Sequence, residues 1–352
     1  SNTEFGGSND NDNSGIIKYV RIEFAGIALE PNKEINGITF GSVGRGTIVD
    51  YVQVSYSGDD SFEWFGGTVN CKHLIAYKGV DDDFDTDFGY RGNIQFGLAV
   101  RSEQLSDAAG DSNCFESDND ATGSSNLPQT SAIFSNFTII GAKGDGTVTL
   151  PVGEKFEKAF RIRRNSSISI FNSIITGWEK GLSIEGTPVE NNITSGNLVF
   201  SSNELVELPS YVVTATPAFY NTFFLSSGND STKTVSQIDW VDAFSSTPDF
   251  RLNSNSLVQS GADFTSSKFE SGFLSIKEED IEQNINIYPN PTANFITIKT
   301  DNKSDITIYD NSGRVILSNN SNGIITLDLT NLNSGVYYLK IDNTTKRFII
   351  NK

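Results

Sequence analysis

The amino-acid sequence predicts an all-β protein in which a right-handed parallel β-helix is followed by a small antiparallel, Ig-like β-sandwich. Two observations predict the β-helix: a segment of 21 or 22 residues repeats early in the chain, and no stretch has strong helical periodicity. A third observation predicts the sandwich. The last segment alternates apolar and polar residues in short runs that are separated by Asn- and Gly-rich turns.

The repeat is clearest in two neighbouring units. Asp59–Gly67 aligns with Asp81–Gly89 at a shift of 22, and the strand-like runs before them, Tyr51–Gly58 and Lys72–Gly79, align at a shift of 21. A unit of this length has no room for a crossover helix, so it is typical of one coil in a stacked solenoid. One coil cannot bury its apolar face alone, so we expect the inward side chains of all coils to share one core. The expected core residues are Val52, Val54, Ile75, Phe96, Ile139, Phe62, Phe84, Phe115 and Phe160.

The repeat and the change in composition predict three parts of the chain. These are a β-helix passenger at 1–275, an acidic linker at 276–284 and the sandwich at 285–352. Within the passenger, we expect a long excursion at 204–240 and a closing strand from the segments 247–252 and 256–261. No leader sequence opens the chain and Met is absent, which predicts that the passenger is truncated at its N-terminus.

Composition restricts the classes of partner. The net charge of −18 disfavours binding to nucleic acid and to anionic lipid. No run approaches the roughly twenty apolar residues that a membrane-spanning helix requires. Cys71 and Cys114 are too few for a disulfide scaffold, so we interpret both as small core or surface residues.

The last 68 residues carry an ordered set of short motifs, which open on YPNP, continue through YDNSGR and GVYYLK and end on a lysine. The motif residues are Tyr288, Pro289, Asn290, Pro291, Gly313, Gly335, Tyr337, Lys340, Lys346 and Lys352. This segment resembles the type A C-terminal sorting domain of the Bacteroidetes type IX secretion system. The resemblance implies export across the outer membrane to the cell surface or beyond, and binding to the translocon and its shuttle and sortase components. It also implies, for many members, removal of the domain and attachment of the passenger to a surface lipid.

A second resemblance covers most of residues 4–200. The chain is similar there to a family of uncharacterised β-helix surface proteins of Bacteroidetes. The segments that carry it are Asp12–Gly15, Tyr19–Gly26, Glu34–Gly46, Phe62–Gly67 and Asp81–Gly92. This resemblance implies a fold and a location, and it supplies no activity.

Acidic residues recur at equivalent places in the repeat. Alternate residues of a strand share a face, so Glu63, Asp85 and Glu116 are expected to stack outward about 4.8 Å apart, with Arg161 next. Stacked carboxylates attract calcium, which takes oxygen ligands. The candidate ligands are Asp59, Asp60, Glu63, Asp81, Asp83, Asp85, Asp87, Glu116 and Asp118, and the alternative is a solvated acidic face. His73 shares the parity of Ile75, which indicates a core or groove residue and no zinc site.

Two functions remain open for the passenger. It is expected to bind or adhere, with surface polysaccharide as a partner and with aromatic side chains near the carboxylates as contacts; these are Trp64, Phe65, Phe88 and Tyr90. Trp64 shares the parity of Phe62, so burial is the alternative for it. The alternative function is an enzyme, either a calcium-dependent polysaccharide lyase or a glycoside-active β-helix enzyme. Polysaccharide lyases of the β-helix class bind calcium through carboxylates on neighbouring coils and abstract a proton with a nearby Arg or Lys. Glu63, Asp85 and Glu116 with Arg161 or Arg163 resemble that arrangement, although the chain lacks the local lyase motifs.

Overall fold

A computed structural model describes residues 5–27, 35–107, 112–144, 156–217, 223–259, 261–269, 286–311, 313–341 and 344–352. The chain divides into two compact units, Ser1–Phe269 and Glu270–Lys352. The predicted linker at 276–284 and Glu34 lie outside the described residues, so the linker stays a prediction.

The described residues of the first unit form short strands, two α-helices and a 3-10 helix at Leu225–Ser227. In chain order its strands are β1 (Ile16–Glu23), β2 (Ile38–Gly41), β3 (Ile48–Ser55), β4 (Phe62–Phe65), β5 (Asn70–Tyr77), β6 (Phe84–Asp87), β7 (Asn93–Val100), β8 (Phe115–Ser117), β9 (Ile133–Ile140), β10 (Lys158–Ile162), β11 (Ser169–Phe171), β12 (Ile174–Thr176), β13 (Lys180–Ile184), β14 (Phe200–Ser201), β15 (Glu204–Val206), β16 (Ser210–Thr214), β17 (Trp240–Asp242) and β18 (Asp249–Leu252). The α-helices are α1 (Thr187–Thr194) and α2 (Val235–Ile238).

From β1 to β16 the chain passes back and forth between two parallel sheets, and the pairs β11–β12 and β14–β15 each lie within the first sheet. The first sheet has the order β1-β3-β5-β7-β9-β11-β14, with β12 and β15 paired beside β9, and the second sheet has the order β16-β13-β10-β8-β6-β4-β2. Every strand pair within these two sheets is parallel. This arrangement confirms the predicted parallel β-helix.

The core lies between the two sheets and is rich in aromatic rings. Phe62, Phe84, Phe115 and Phe160 are buried, as predicted, and their ring centroids stack at 5.4, 5.0 and 4.9 Å along the solenoid. Val52, Val54 and Ile139 are buried in the same core. Cys71 and Cys114 are also buried there as free thiols.

Two of the predicted core residues, Ile75 and Phe96, lie instead on the partly exposed outer face of the first sheet. The cause is a local irregularity at the same place in each strand, which we call the bulge: His73 has a φ of 50° and Phe96 a φ of 62°, and neither is paired in the ladder of its neighbours. A bulge of this kind shifts the alternation of all following side chains by one. Val52 pairs with Leu74, so the shift between β3 and β5 is 22 residues, and the predicted shift of 21 is wrong.

Only some of the aromatic residues predicted as contacts beside the carboxylates are exposed. Trp64 and Tyr90 are fully buried, and the predicted surface role is wrong for both. Phe88 is exposed, and Phe65 is half-buried against it with ring centroids 5.7 Å apart. Trp64 shares the inward parity of Phe62, and burial is the usual fate of such a residue.

The C-terminal part of the passenger differs from the sequence prediction. β15 and β16 fall inside the predicted excursion at 204–240, yet they extend the two parallel sheets. β18 occupies the predicted closing strand, but it pairs antiparallel with β17 and joins neither parallel sheet. Residues 256–259 contain no strand.

The second unit is an antiparallel β domain, as predicted. Its strands are β19 (Asn286–Tyr288), β20 (Phe295–Tyr309), β21 (Val315–Asp328), β22 (Gly335–Ile341) and β23 (Thr344–Ile350). The long strand β20 pairs with β19 through its first part, with β22 through its last part and with β21 along most of its length. Its core is aliphatic and includes Ile296, Ile298, Ile306 and Ile308.

Candidate functional site

The predicted carboxylate column lies on the second sheet. The register pairs Glu63 of β4 with Asp85 of β6, Asp85 with Glu116 of β8, and Glu116 with Arg161 of β10. The four side chains therefore follow one another from coil to coil, as the repeat predicts. The two ends of this column have different electrostatic environments.

The arginine end of the column is neutralised by ion pairs. Arg161 contacts Glu116 at 3.0 Å and Glu185 at 3.2 Å. Arg163 pairs with Glu116 and, at 2.8 Å, with Asp118, whose other oxygen lies 2.6 Å from Arg164. Glu116 and Asp118 are thus already compensated by protein cations, which makes them poor candidates for metal ligands.

The other end forms what we call the acidic corner, which consists of Asp59, Asp60, Glu63, Asp81 and Asp85. Carboxylate oxygens of Asp59, Asp60 and Asp81 lie within 4.8 Å of one another, and so do those of Asp60, Glu63 and Asp85. Asp60 belongs to both groups, so the acidic corner is continuous across two coils.

Glu63 is the most informative member of the acidic corner. It is only 7% exposed, and within the described part of the chain it has no hydrogen bond and no ion pair. Asp85 is partly exposed, but its Oδ1 atom is buried without a hydrogen-bond partner. A buried carboxylate without a partner carries a large desolvation cost, which a bound cation would offset.

The pKa values of the acidic corner reflect this cost. Burial, followed by the charges of Asp59 and Asp87, raises the pKa of Glu63 to about 8. Burial, with the charge of Asp107 next in importance, raises the pKa of Asp81 to about 7. The same cause, burial followed by neighbouring carboxylates, raises the pKa values of Asp60 and Asp85 well above their usual range.

Two predicted ligands lie apart from the acidic corner. Asp83 is fully buried and lies 3.0 Å from the guanidinium of Arg101, which is also fully buried, so this pair is a structural ion pair inside the β-helix. Asp87 accepts a hydrogen bond of 2.6 Å from the backbone N–H of Phe88 and joins neither oxygen cluster among the described residues.

Sequence reasoning missed Asp82. Its side chain is buried next to the acidic corner. The Oδ1 of Asp82 accepts a 2.7 Å hydrogen bond from the backbone N–H of Asn113. The backbone N–H of Asp82 donates a 3.0 Å hydrogen bond to the carboxylate of Asp60. The run of three aspartates contained this signal. Strand alternation favoured Asp81 and Asp83, whereas the chain turns a corner before β6 begins at Phe84.

The oxygen donors of the acidic corner fit a divalent cation. All the donors are carboxylates, they approach from two coils, and the Oδ1 of Asp85 receives no hydrogen bond from the described residues. Calcium accepts 6–8 oxygen ligands in flexible geometry, which suits such a set.

The sorting motif residues lie in turns and at strand ends of the second unit. The side chain of Asn290 forms two hydrogen bonds to β23. Its Oδ1 accepts one from the N–H of Ile349 at 3.0 Å, and its Nδ2 donates one to the carbonyl of Arg347 at 3.3 Å. Gly313 has a φ of +81° in the turn between β20 and β21. Tyr337 donates to the carbonyl of Asn333, and Lys352 donates to the carbonyls of Thr330 and Leu332.

The remaining motif residues make no side-chain hydrogen bond to the described part of the chain, and their positions are as follows. Gly335 is the first residue of β22, Lys340 lies within β22 and Lys346 lies within β23. Tyr288 ends β19 and is exposed, and Pro289 and Pro291 flank Asn290 in the segment that follows. The motif residues therefore include both residues that close the fold and residues that remain accessible to a partner.

Residues 1–245 match a family model described as a pectate-lyase like β-helix domain. The chain belongs to this pectate-lyase like β-helix family. Residues 286–352 match a second model, the secretion system C-terminal sorting domain. No curated protein and no solved structure matches the chain.

The sorting domain defines the location of this family member. It identifies the chain as cargo of the type IX secretion system, which is exported across the outer membrane to the cell surface or the extracellular space and interacts with the secretion machinery. Among the described residues, no helix is long and apolar enough to span a membrane.

Proposed function

We propose that the passenger of this exported protein is a binding module that holds a divalent cation, calcium, in the acidic corner and does not cleave polysaccharide. The observation that carries the proposal is Glu63, which is nine-tenths buried, unpartnered, and held beside Asp60 and Asp85. Either Asp60, Glu63 and Asp85 keep protons or a cation replaces them. Outside the cell, millimolar calcium is a ready source of the cation.

The chemistry of the donors favours calcium over other metals. Carboxylate oxygens are hard ligands, and the acidic corner offers no histidine or thiolate that would select zinc. Magnesium requires near-ideal octahedral geometry and retains its water, whereas calcium accepts an irregular set of carboxylates. When bound, calcium would supply the positive charge that Asp60, Glu63 and Asp85 lack.

The ion pairs of the arginines favour binding over catalysis. A lyase base must accept a proton, but Arg163 is held by Glu116 and Asp118, and these acids raise its pKa further. Arg161 is held by Glu116 and Glu185. A β-helix of the pectate-lyase like family does not by itself carry the activity, because function depends on the site.

Calorimetry on the full chain tests the cation site. Chelator-treated protein is titrated with calcium and, separately, with magnesium. We expect saturable calcium binding that is lost in the double variant Glu63→Gln with Asp85→Asn and retained in Glu23→Gln, which removes one exposed carboxylate from the first sheet. Absence of binding in the parent, or equal binding in the double variant, would exclude the acidic corner as the site.

A cleavage assay tests the second half of the proposal. The full chain with calcium is incubated with uronate and neutral polysaccharides, and reducing ends and unsaturated products are measured. We expect neither. Cleavage that is abolished by Arg161→Ala or Arg163→Ala would establish the lyase alternative instead.

For the sorting domain, we propose that the translocon and its shuttle and sortase components are the specific partners. The exposed motif residues Tyr288 and Lys346 support this, since their side chains are accessible to a partner. Co-purification of the secretion components with the full chain, and its loss in a chain that ends at residue 284, would support the assignment. Co-purification that is unchanged by this truncation would contradict it.

A further inference from the structure

A ladder of aromatic rings crosses the outer face of the first sheet. It consists of Tyr19, Tyr51, His73 and Phe96, each at the bulge of its strand with φ between 50° and 62°. Ring centroids are 4.9, 4.2 and 5.1 Å apart, and the interplanar angles are 11°, 7° and 13°. The rings therefore stack face to face along the solenoid and present their edges to solvent.

The ladder forms one wall of a trough of about 510 Å³. The opposite wall consists of the outward residues two positions further along each strand, which are Arg21, Gln53, Ile75 and Leu98. The backbone of Val52, Leu74 and Gly97 lies along the floor, because the side chains of Val52 and Leu74 face the core, and Asn136 closes one end. The trough crosses four coils, so at about 4.8 Å per coil it has room for several units of a linear polymer.

The charged groups around the trough compensate one another. Asp50 lies 3.1 Å from Lys18 and 2.8 Å from Nδ1 of His73. Arg21 lies 3.7 Å from Glu23. The trough thus combines an apolar lining and a few amides with paired charges, on a protein whose net charge is −18. Because the charges around the trough are already paired, the trough fits an uncharged ligand, and its amides fit a ligand with many hydroxyl groups.

We propose that this trough binds a neutral glycan chain that lies along the solenoid axis. The inference rests on the proposed binding role of the passenger and names the class of ligand. The C–H patches of sugar rings would pack on the outward aliphatic side chains of Ile75 and Leu98. Their oxygens would face the ring edges, which carry the positive part of the aromatic quadrupole, and the amides of Gln53 and Asn136.

Substitution at the bulge positions tests the trough without disturbing the backbone. Asparagine tolerates positive φ, and the same column continues with Asn136 and Asn172 at φ of 61° and 55°. The test variant is Tyr51→Asn with Phe96→Asn. The matched control is Phe88→Asn, because Phe88 is an exposed aromatic residue with a φ of 50° that does not line the trough.

Binding is measured by calorimetry with the full chain, in chelator, against neutral oligosaccharides (β-glucan, xylan and mannan fragments) and against polygalacturonate fragments. We expect at least one neutral series to bind, about tenfold or more weaker binding in the double variant, and unchanged binding in Phe88→Asn. Failure of all neutral series, stronger binding of polygalacturonate, or equal binding in the double variant would overturn the proposal. Because chelator removes calcium, this result is independent of the acidic corner.

Discussion

Glu63 differs from the other carboxylates of its column because neither a cation nor a hydrogen-bond donor of the described chain reaches it. Glu116, two coils further on, has the same place in the repeat and is held by Arg161 and Arg163. The same residue type at equivalent positions therefore has two roles, and the difference arises from the charges on the next coil. Asp83, buried with Arg101, has a third role as half of an internal ion pair.

The pKa values of the acidic corner predict a pH dependence of stability in chelator. Glu63 and Asp81 have pKa values of about 8 and about 7 in the folded state, against ordinary values of 4.5 and 3.8. Above about pH 5 the unfolded chain has lost these protons while the folded chain retains them, so the free energy of unfolding should fall as pH rises to 8. Lowered pKa values, such as that of Asp230 at about 2, act only below about pH 4.

Urea unfolding in chelator at pH 5, 6, 7 and 8 measures this trend. The slope should flatten in Glu63→Gln, and calcium should offset the loss most strongly at pH 8, where fewer protons compete for the carboxylates. A free energy of unfolding that is constant over this range, or a slope that is identical in Glu63→Gln, would show that these carboxylates are ordinarily ionised.

The ion pair between Asp83 and Arg101 predicts an asymmetric response to substitution. Arg101→Met should destabilise the protein by about 3–5 kcal/mol, because it leaves the Asp83 carboxylate buried and unpaired. The double variant Asp83→Leu with Arg101→Met should be markedly less destabilised than the single one, because no charge is left in the core. Thermal and urea unfolding of both variants measure the difference, and additive losses would contradict this interpretation.

At the scale of the strand, the bulges in the first sheet decide which side chains face the core. Each bulge shifts the alternation, so His73 and Ile75 face outward while Leu74 and Ala76 face the core. The bulges lie at equivalent places on neighbouring coils, so the rings of Tyr51, His73 and Phe96 stack on the outer face. Gly97, one residue after the bulge at Phe96, leaves room for the ring of Phe137 on the next coil.

Gly97→Ala should therefore destabilise the β-helix. An added Cβ would lie 1.9 Å from Cε1 of Phe137, so either the buried ring or the strand must shift, at a cost of about 1–3 kcal/mol. Gly7→Ala is the matched control, since nothing lies within 4 Å of its Cβ position. A midpoint of thermal unfolding that is equal in both variants would contradict the packing argument.

At the scale of the whole molecule, the fold was predictable because two independent patterns agree with it: a 22-residue repeat for the β-helix, and alternating strands with sorting motifs for the second unit. The order of Glu63, Asp85 and Glu116 followed from the same repeat. The outward position of Ile75 did not, because a bulge leaves no mark in apolar alternation. Which carboxylates are paired with a cation was not predictable either, since this depends on where Arg101, Arg161 and Arg163 reach across coils.

The sorting domain should work without the passenger. Residues 285–352 contain all the sorting motifs and form their own apolar core, so fusion to a periplasmic reporter should move the reporter to the cell surface or the medium in a strain with a working type IX system. Fractionation and surface protease accessibility measure the outcome. A reporter that stays in the periplasm would contradict the prediction, and the same fusion in a strain without the translocon is the control.

Anomalous X-ray scattering from crystals of the full chain grown in calcium tests the acidic corner most directly. We expect an anomalous peak bounded by the carboxylates of Asp60, Glu63 and Asp85, with oxygen ligands at about 2.3–2.6 Å, and no peak in crystals of Glu63→Gln with Asp85→Asn. An acidic corner without a peak at saturating calcium, or a peak that persists in the double variant, would contradict the proposal that this corner holds the cation.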